Sequence, residues 1–456
     1  MTTQVQKGLH LPRLTTTQRD ALIPATTADS TAAVGLAVFN TDSKCYDVWN
    51  GKQWLSLCGS TGAPVITVQP RAFSWKETTG ETTYTGVTSP TNPAPLASAT
   101  ISVTATGADS YQWYEVARTG KATVAAGTSN AATYTPVGSN LGMKQYYCVV
   151  SNAFGSVQSA IAKVAVGCGA MTMNGGWRTF MCYNLGATIT GIADQLAYDK
   201  NLYFWGTVGA VPSTGYTGAA ADSSVFGSLW QWGRISDGHQ RRDSPNSLAD
   251  GPMNGTYTVY GGYWAAGGSE QIRSDSTRFY GRFITAPNAP YDWSRNPSGR
   301  NEWLWALWRQ GWNDPCINVT GVDGGNGVWR VPTQTEWSDI WRGGQSASNP
   351  STSTAVNTAN TWVWQAPGTT TNGVAGTAGG FLIKPDGVTT TLFLPAAGYR
   401  IFNNGQLYYP GGYGLYWSAT AYGNFSFNLT FISGNVIPAN FGNRAYGFSV
   451  RCVAEQ

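Results

Sequence analysis

Histidine is almost missing from this chain, with two in 456 residues, His10 and His239. Imidazole is the commonest zinc ligand and the commonest general base near neutral pH, so this scarcity, with no Cys-x-x-Cys pair, argues against zinc and against His-dependent catalysis. Charge is scarce too: Asp, Glu, Lys and Arg together make 11% of the chain, and the net charge of +4 is spread thinly. Arg241-Arg242 is the densest basic pair, which leaves no electrostatic footprint for nucleic acid. No apolar run approaches the roughly 18 residues that span a bilayer. The opening Met1 to Gly8 lacks the apolar core of a secretion signal, so synthesis in a cytoplasm without membrane insertion is expected. Seven cysteines are too few for a disulfide scaffold, and the odd count leaves at least one thiol unpaired. These shortages give no reason to expect a cofactor or a metal.

Glycine (56), tyrosine (23) and tryptophan (20) are what the chain has instead. That composition belongs to a β- and loop-rich recognition protein, long enough for two or three domains. In a first unit, 1–60, Thr15 to Leu22 reads as a short helix, Val34 to Asn40 alternates as a strand, and Tyr46–Trp49 with Gln53–Leu57 forms a hairpin about Asn50-Gly51. So small a unit has little means of burying its own apolar face; a homotrimer would solve that, and an independent monomeric hairpin domain is the alternative. Cys45 and Cys58 flank the hairpin. The pattern resembles the short attachment modules that precede receptor-binding domains in phage tail fibres, which implies contact with other tail proteins.

After the linker Gly59 to Pro64, a second unit, 64–167, opens with Val65 to Gln69. In it Ile101, Val103 and Ala105 alternate inward, and Trp113 and Tyr146, two residues before Cys148, resemble the buried tryptophan and tyrosine corner of an immunoglobulin-like β-sandwich. The usual partner cysteine is absent from the Ile101–Ala105 segment, so Cys148 should be a free core thiol. A spacer role is the analogy that follows. In a third unit, 168–456, Thr335 to Trp341 reads as a helix with Thr333 as N-cap and Glu336 completing a capping box, with Trp337 and Trp341 on one core-facing side. Tryptophans also crowd into 303–312, and the Gly-, Tyr- and Asn-rich 200–300 reads as insert loops.

The last fifth alternates fixed words with assorted aromatics. Leu394-Pro395-Ala396-Ala397-Gly398-Tyr399-Arg400, Tyr416-Trp417-Ser418 and Gly447 to Val453 read as scaffold. Between Ile401 and Val450 there are thirteen aromatics and one charged residue, Arg444. Tyr and Phe supply stiff contact area at low entropic cost, while Asn, Ser and Gly supply adaptable hydrogen bonds, as in an antibody combining site. Nearly every position between the words also fits a codon ending in a pyrimidine, Gln406 and Trp417 excepted, the spectrum that adenine mutagenesis of Asn codons would leave. A Gly/Asn/aromatic β-meander without that history is the plain alternative.

These words, with Val328 to Thr333, Glu336-Trp337, Phe180 to Ala187 and Gln231 to Arg234, resemble the variable proteins of diversity-generating retroelements. That resemblance covers roughly 168–456 and implies a C-type-lectin fold of the formylglycine-generating-enzyme-like branch, of which the phage tropism determinant is a relative by function. The fold class expected is therefore mainly β with an α+β C-terminal domain. The resemblance also brings Cys316 beside Cys452, although a reducing cytoplasm favours simple buried thiols for both this pair and Cys45–Cys58. It implies a virion protein that attaches to a host cell-surface receptor, glycan or outer-membrane protein, through Ile401, Phe402, Tyr408, Tyr409, Tyr413, Leu415, Tyr422, Phe425, Ile437, Ala439, Phe441 and Tyr446. Trp417, Phe427, Phe448, Val450 and Cys452 are assigned to the scaffold.

Two rivals and a variant of this reading stand beside it. An enzyme would need the closely spaced thiols of the formylglycine-generating relatives or a paired-carboxylate site; Glu302, Glu336, Asp314 and Asp323 show no such pairing, which leaves a capsule depolymerase without a motif. A calcium-dependent lectin would need acidic ligands that Trp312-Asn313-Asp314 and Asp323 to Asn326 do not complete. A bacterial surface adhesin would normally carry a signal.

Overall fold

The computed structural model describes residues 11–23, 33–58, 63–77, 100–117, 120–136, 142–198, 222–248, 278–293, 314–316, 329–341, 359–368, 370–371, 374–375 and 378–454. His10, most of the Gly59 to Pro64 linker, the Trp303 to Trp312 run, Glu302, Asp323 to Asn326 and most of 200–300 lie outside them. The fold is mainly β. The chain divides into two compact units, Met1–Ser74 with Ser98–Val137 and Lys144–Val164, and Trp75–Ala97 with Gly138–Met143 and Ala165–Gln456.

At the start of the first unit, strands Arg13–Leu14, Ala37–Asn40, Cys45–Trp49 and Trp54–Ser56 form one sheet in that order. The Thr16–Asp20 helix is held by a capping box of Thr15 and Gln18. The hairpin about Asn50-Gly51 has the expected form, with Trp49 opposite Trp54. Cys45 and Cys58 are disulfide-bonded across it.

In the sandwich segment, Trp113 stands opposite Cys148 in the central strand pair, and both are fully buried. Ile101 and Val103 are buried as their alternation demands, while Ala105 is only half-buried. That segment is not one strand: Ile101–Ser102 pairs with Thr133–Tyr134, and Thr104–Thr106 pairs with Val65–Val68. Cys148 is a free buried thiol, and burial pushes its pKa up to about 11.

In the second unit the scaffold words meet around one core. Trp329–Arg330 pairs with Val453–Ala454, and Cys316 is bonded to Cys452 beside them. A third disulfide, Cys168–Cys182, had no counterpart in the sequence reading. The expectation of buried thiols is therefore corrected at Cys45–Cys58 and Cys316–Cys452, because chain pairing brings each couple to Cα separations of 5.4 and 5.7 Å, within bridging range. Arg451 is buried and ties three distant segments, donating to Asn184 Oδ1 at 2.7 Å, Met181 O at 3.0 Å and Phe393 O at 2.9 Å. The Gln334–Ile340 helix carries the predicted Thr333–Glu336 capping box, and Trp337 and Trp341 face the core.

Candidate ligand-binding surface

Strands Gly414–Tyr422, Phe425–Ile432 and Asn435–Asn443 form a three-stranded antiparallel meander. Two-residue turns join them, Gly423-Asn424 and Ser433-Gly434, and Gly423 takes the positive φ of +54° that the first one needs. The first strand is almost wholly buried, with Tyr416 and Trp417 in the core and the Trp417 indole donating to Trp230 O at 2.7 Å. Gly414 is required there, since a Cβ would run into the Phe431 ring. The second and third strands alternate but swap their buried face midway: at one end Ser426, Asn428 and Gly442 are buried behind the half-buried or exposed Phe425, Phe427 and Phe441, and at the other Leu429, Phe431 and Val436 are buried while Thr430 and Ile437 are half-buried.

That alternation gathers an aromatic patch. Phe427 stands opposite Phe441 and Tyr422 opposite Phe425. Ring centroids lie 5.1 Å apart for Tyr422–Phe441, 5.4 Å for Phe425–Phe441 and 4.8 Å for Tyr422–Phe427. Tyr422 and Phe441 are each 49% exposed, far more than ring packing alone requires. On the other face of the same strands Asn440 Nδ2 donates to Thr430 Oγ1 at 3.0 Å and Thr430 donates to Asn428 Oδ1 at 2.6 Å, with Asn428 buried. None of the three strands contains Asp, Glu, Lys, Arg or His, so the aromatic face is uncharged. Arg444, the one charged residue of the stretch, is fully buried over the Trp232 ring, facing Asp292 and donating to Gly423 O. It supports the first turn from behind.

A second aromatic group centres on Tyr399. Its ring stacks on Tyr408 at 5.6 Å and meets Tyr409, Tyr413, Tyr446 and Phe448 at 5.8 to 6.5 Å. Burial, with the neighbouring phenols, pushes the Tyr399 hydroxyl well above the ordinary tyrosine value, so the group stays neutral. Arg400 pins the loop that follows, donating to Gly405 O, Ser244 Oγ and Asn246 Oδ1 at 2.7 to 2.9 Å while lying over Phe283. Phe402 packs between Tyr446 and Tyr291. At the edge of the Tyr399 group, Trp364, Pro367, Gly411, Gly412, Tyr413, Ile432 and Ser433 line a half-open cleft of about 170 Å³.

The twelve nominated residues thus divide. Tyr422, Phe425 and Phe441 share the aromatic face of the meander, while Ile437, opposite Thr430, is half-buried on its other face; Tyr408, Tyr409, Tyr413 and Tyr446 lie in the Tyr399 group, and Ile401 and Phe402 are half-buried in the loop between. Leu415 and Ala439 are corrections: they are 8% and 4% exposed, because Leu415 belongs to the strand buried on both sides and Ala439 sits where a bulge turns the third strand inward. Phe427 is the reverse correction, a scaffold assignment that lies half-exposed against Tyr422. Tyr399 and Trp364 were missed. Tyr399 sits inside a fixed word, and nothing in the sequence near Trp364 marks it as a cleft wall.

Titratable groups of this unit serve the framework. His239 is fully buried, its Nδ1 2.7 Å from Asp237 and its Nε2 accepting from the Gln231 N–H at 3.2 Å. Burial, with Arg234 nearby, pushes it down to about 4. Asp314 accepts from the N–H groups of Val331 and Cys316, and Glu336 is held by Arg330 and Thr333. Glu77, Cys168 and Cys182 form a ligand-like cluster, but the two sulfurs are bonded to each other and offer no thiolate.

Residues 2–72 match the family described as the phage tail like trimerisation region. That match supports a phage tail fibre-type protein that assembles as a trimer, in a virion context. No curated protein matches the chain. Among solved structures, one described as tandem Ig repeats of Dlar shares 16% identity over 28% of this chain, with a TM-score of 0.15; the chain spans 64% of that neighbour's length, and the likeness carries no argument.

Proposed function

We propose that this chain is the receptor-binding protein of a phage tail, and that it attaches to the host surface through the outer face of the C-terminal meander. The observation that carries the reading is the uncharged aromatic patch of Tyr422, Phe425, Phe427 and Phe441, behind which Ser426, Asn428 and Gly442 of the same strands are buried. Exposed contiguous aromatic area of this kind marks a recognition surface. Its partner is a host glycan face or the apolar pockets of an outer-membrane protein. The unit carrying it is proposed as a C-type-lectin-fold variable domain of the diversity-generating type, acting by binding and not by catalysis, without cofactor or metal. Copies on one tail multiply weak single contacts by raising effective concentration.

Labelled protein tested on a panel of bacterial strains should bind some of them. Replacing Tyr422, Phe425 and Phe441 together by Ala should remove that binding at unchanged melting temperature, with each dominant ring contributing ~2 kcal/mol or more. Binding that survives the triple change overturns the reading. Resequencing the gene across a population grown from one clone tests the diversification: clustered adenine substitutions within 401–446 are expected, and a uniform spread contradicts them.

A further inference from the structure

The aromatic patch occupies one end of the meander, beside the first turn, and the cleft lies at the other. Ile432 and Ser433 open the second turn, a full length of the Phe425–Ile432 strand or about 23 Å from the patch. There they meet Trp364, Pro367 and Tyr413 around the half-open space of about 170 Å³. Its walls are fixed in place. Gly411 N–H donates to Ala396 O at 2.6 Å and Gly398 N–H to Tyr413 O at 2.8 Å, which ties the 409–413 loop to the Leu394 to Arg400 word. Gly379 passes close beneath that loop, where a Cβ would run into Gly411 O and the Pro367 ring. Tyr409 takes a φ of +48°, and its ring stacks on Tyr413 at 4.7 Å. A bulky residue keeps that backbone conformation only where its surroundings over-determine it, as they do at ligand clamps. Trp364 is braced edge-on by Phe381 at 5.3 Å and by Phe431 at 6.4 Å while staying half-exposed.

The lining selects the ligand. No Asp, Glu, Lys, Arg or His belongs to it, so a charged group would lose water there without gaining a counter-ion. Trp364, Tyr413 and Pro367 supply ring surface. The Trp364 indole N–H and the Tyr413 and Ser433 hydroxyls have no hydrogen-bond partner among the described residues. The space is smaller than the roughly 300 Å³ at which sites for drug-sized molecules begin, and suits a single six-membered ring. A sugar ring meets these demands together, since its C–H face packs on aromatic surface while its hydroxyls reach the polar groups around it. An apolar side chain would cover those groups without pairing them. We infer that this cleft binds one neutral pyranose unit of a glycan, at a site separate from the meander patch, with Trp364 and Tyr413 as its ring contacts and Ser433 at its rim. The inference stands without the receptor reading, because it concerns free sugar on purified protein.

Saturation-transfer NMR on the full-length protein tests it, with the methyl glycosides of glucose, galactose, mannose and N-acetylglucosamine as probes and glucuronic acid as the charged comparison. At least one neutral glycoside should bind saturably at millimolar concentration. Trp364→Ala should weaken that affinity about tenfold or more, through the loss of one aromatic contact, while Val388→Ser, at a residue 77% exposed, leaves it unchanged. Because Trp364→Ala also removes contacts with Phe381 and Phe431, a diazirine derivative of the bound glycoside gives the check on the unaltered chain. Illumination should label the peptides that carry Trp364 or Tyr413, and excess plain glycoside should suppress the labelling. Failure of all four glycosides to bind overturns the proposal, as does a preference for glucuronic acid. Labelling confined to the Tyr422–Phe441 patch would also overturn it, while supporting the receptor reading.

Discussion

Trp417 and Tyr422 lie five residues apart on one strand, yet one is sealed in the core and the other is half open to water. Their substitutions should separate stability from recognition. Trp417→Ala removes a fully buried ring packed at a tilt 4.2 Å from Phe448 and a hydrogen bond to Trp230 O, and should lower unfolding free energy by roughly 3–5 kcal/mol in denaturant titrations. Tyr422→Ala should leave it within about 0.5 kcal/mol. His239 gives a residue-scale pH effect. An unfolded histidine titrates near 6.5, whereas burial holds this one at about 4 in the fold, so the native state takes up fewer protons. Stability is then complete above about pH 6.5 and falls as pH drops toward 4, by on the order of 3 kcal/mol. Asp237 is raised by burial but held well below its usual range by Arg234 and His239, and it adds loss in the same direction at lower pH. Melting curves between pH 7 and 4 should show the decline, and His239→Asn should flatten it.

Elements were legible where local chemistry decides them. Thr333 with Glu336 specified the helix that follows, and Asn50-Gly51 specified the hairpin, because caps and turns are set within four residues. Exposure in the last fifth was only partly legible. Burial from Phe425 to Ile432 alternates but reverses phase at Asn428-Leu429, both buried, and the bulges at 417–421 and 428–430 shift the register and carry Ala439 inward. Leu415 was misjudged because its strand is covered on both faces, which no period reveals. The Cys168–Cys182 bridge was illegible for another reason: it depends on the pairing of Gly169–Met171 with Trp177–Thr179, two short segments with no strong β pattern. The long bridge Cys316–Cys452 fixes the closing strand to the Trp329 strand across 136 residues. Loop-closure entropy over that span makes it worth about 5 kcal/mol in the chain-entropy view. Replacing both cysteines by Ser should lower the second unit's stability by an amount approaching that, read as a drop in melting temperature, with the Tyr422 patch still able to bind below the new transition.

On the scale of the whole molecule, the chain combines an N-terminal segment that matches a trimerisation region with a C-terminal unit whose framework residues are tied together from distant sequence, as Arg451 joins Met181, Asn184 and Phe393. Such a framework lets surface rings change with little folding cost, and a trimer presents three copies of them. Footprinting tests that division most directly. Wild-type protein is exposed to hydroxyl radicals free and while bound to a susceptible strain, and side-chain oxidation is read by mass spectrometry. The account predicts strong protection of Tyr422, Phe425 and Phe441 on cell binding, with Phe154 of the sandwich segment unchanged. Full oxidation of those three rings in the bound state, with protection elsewhere, would contradict it.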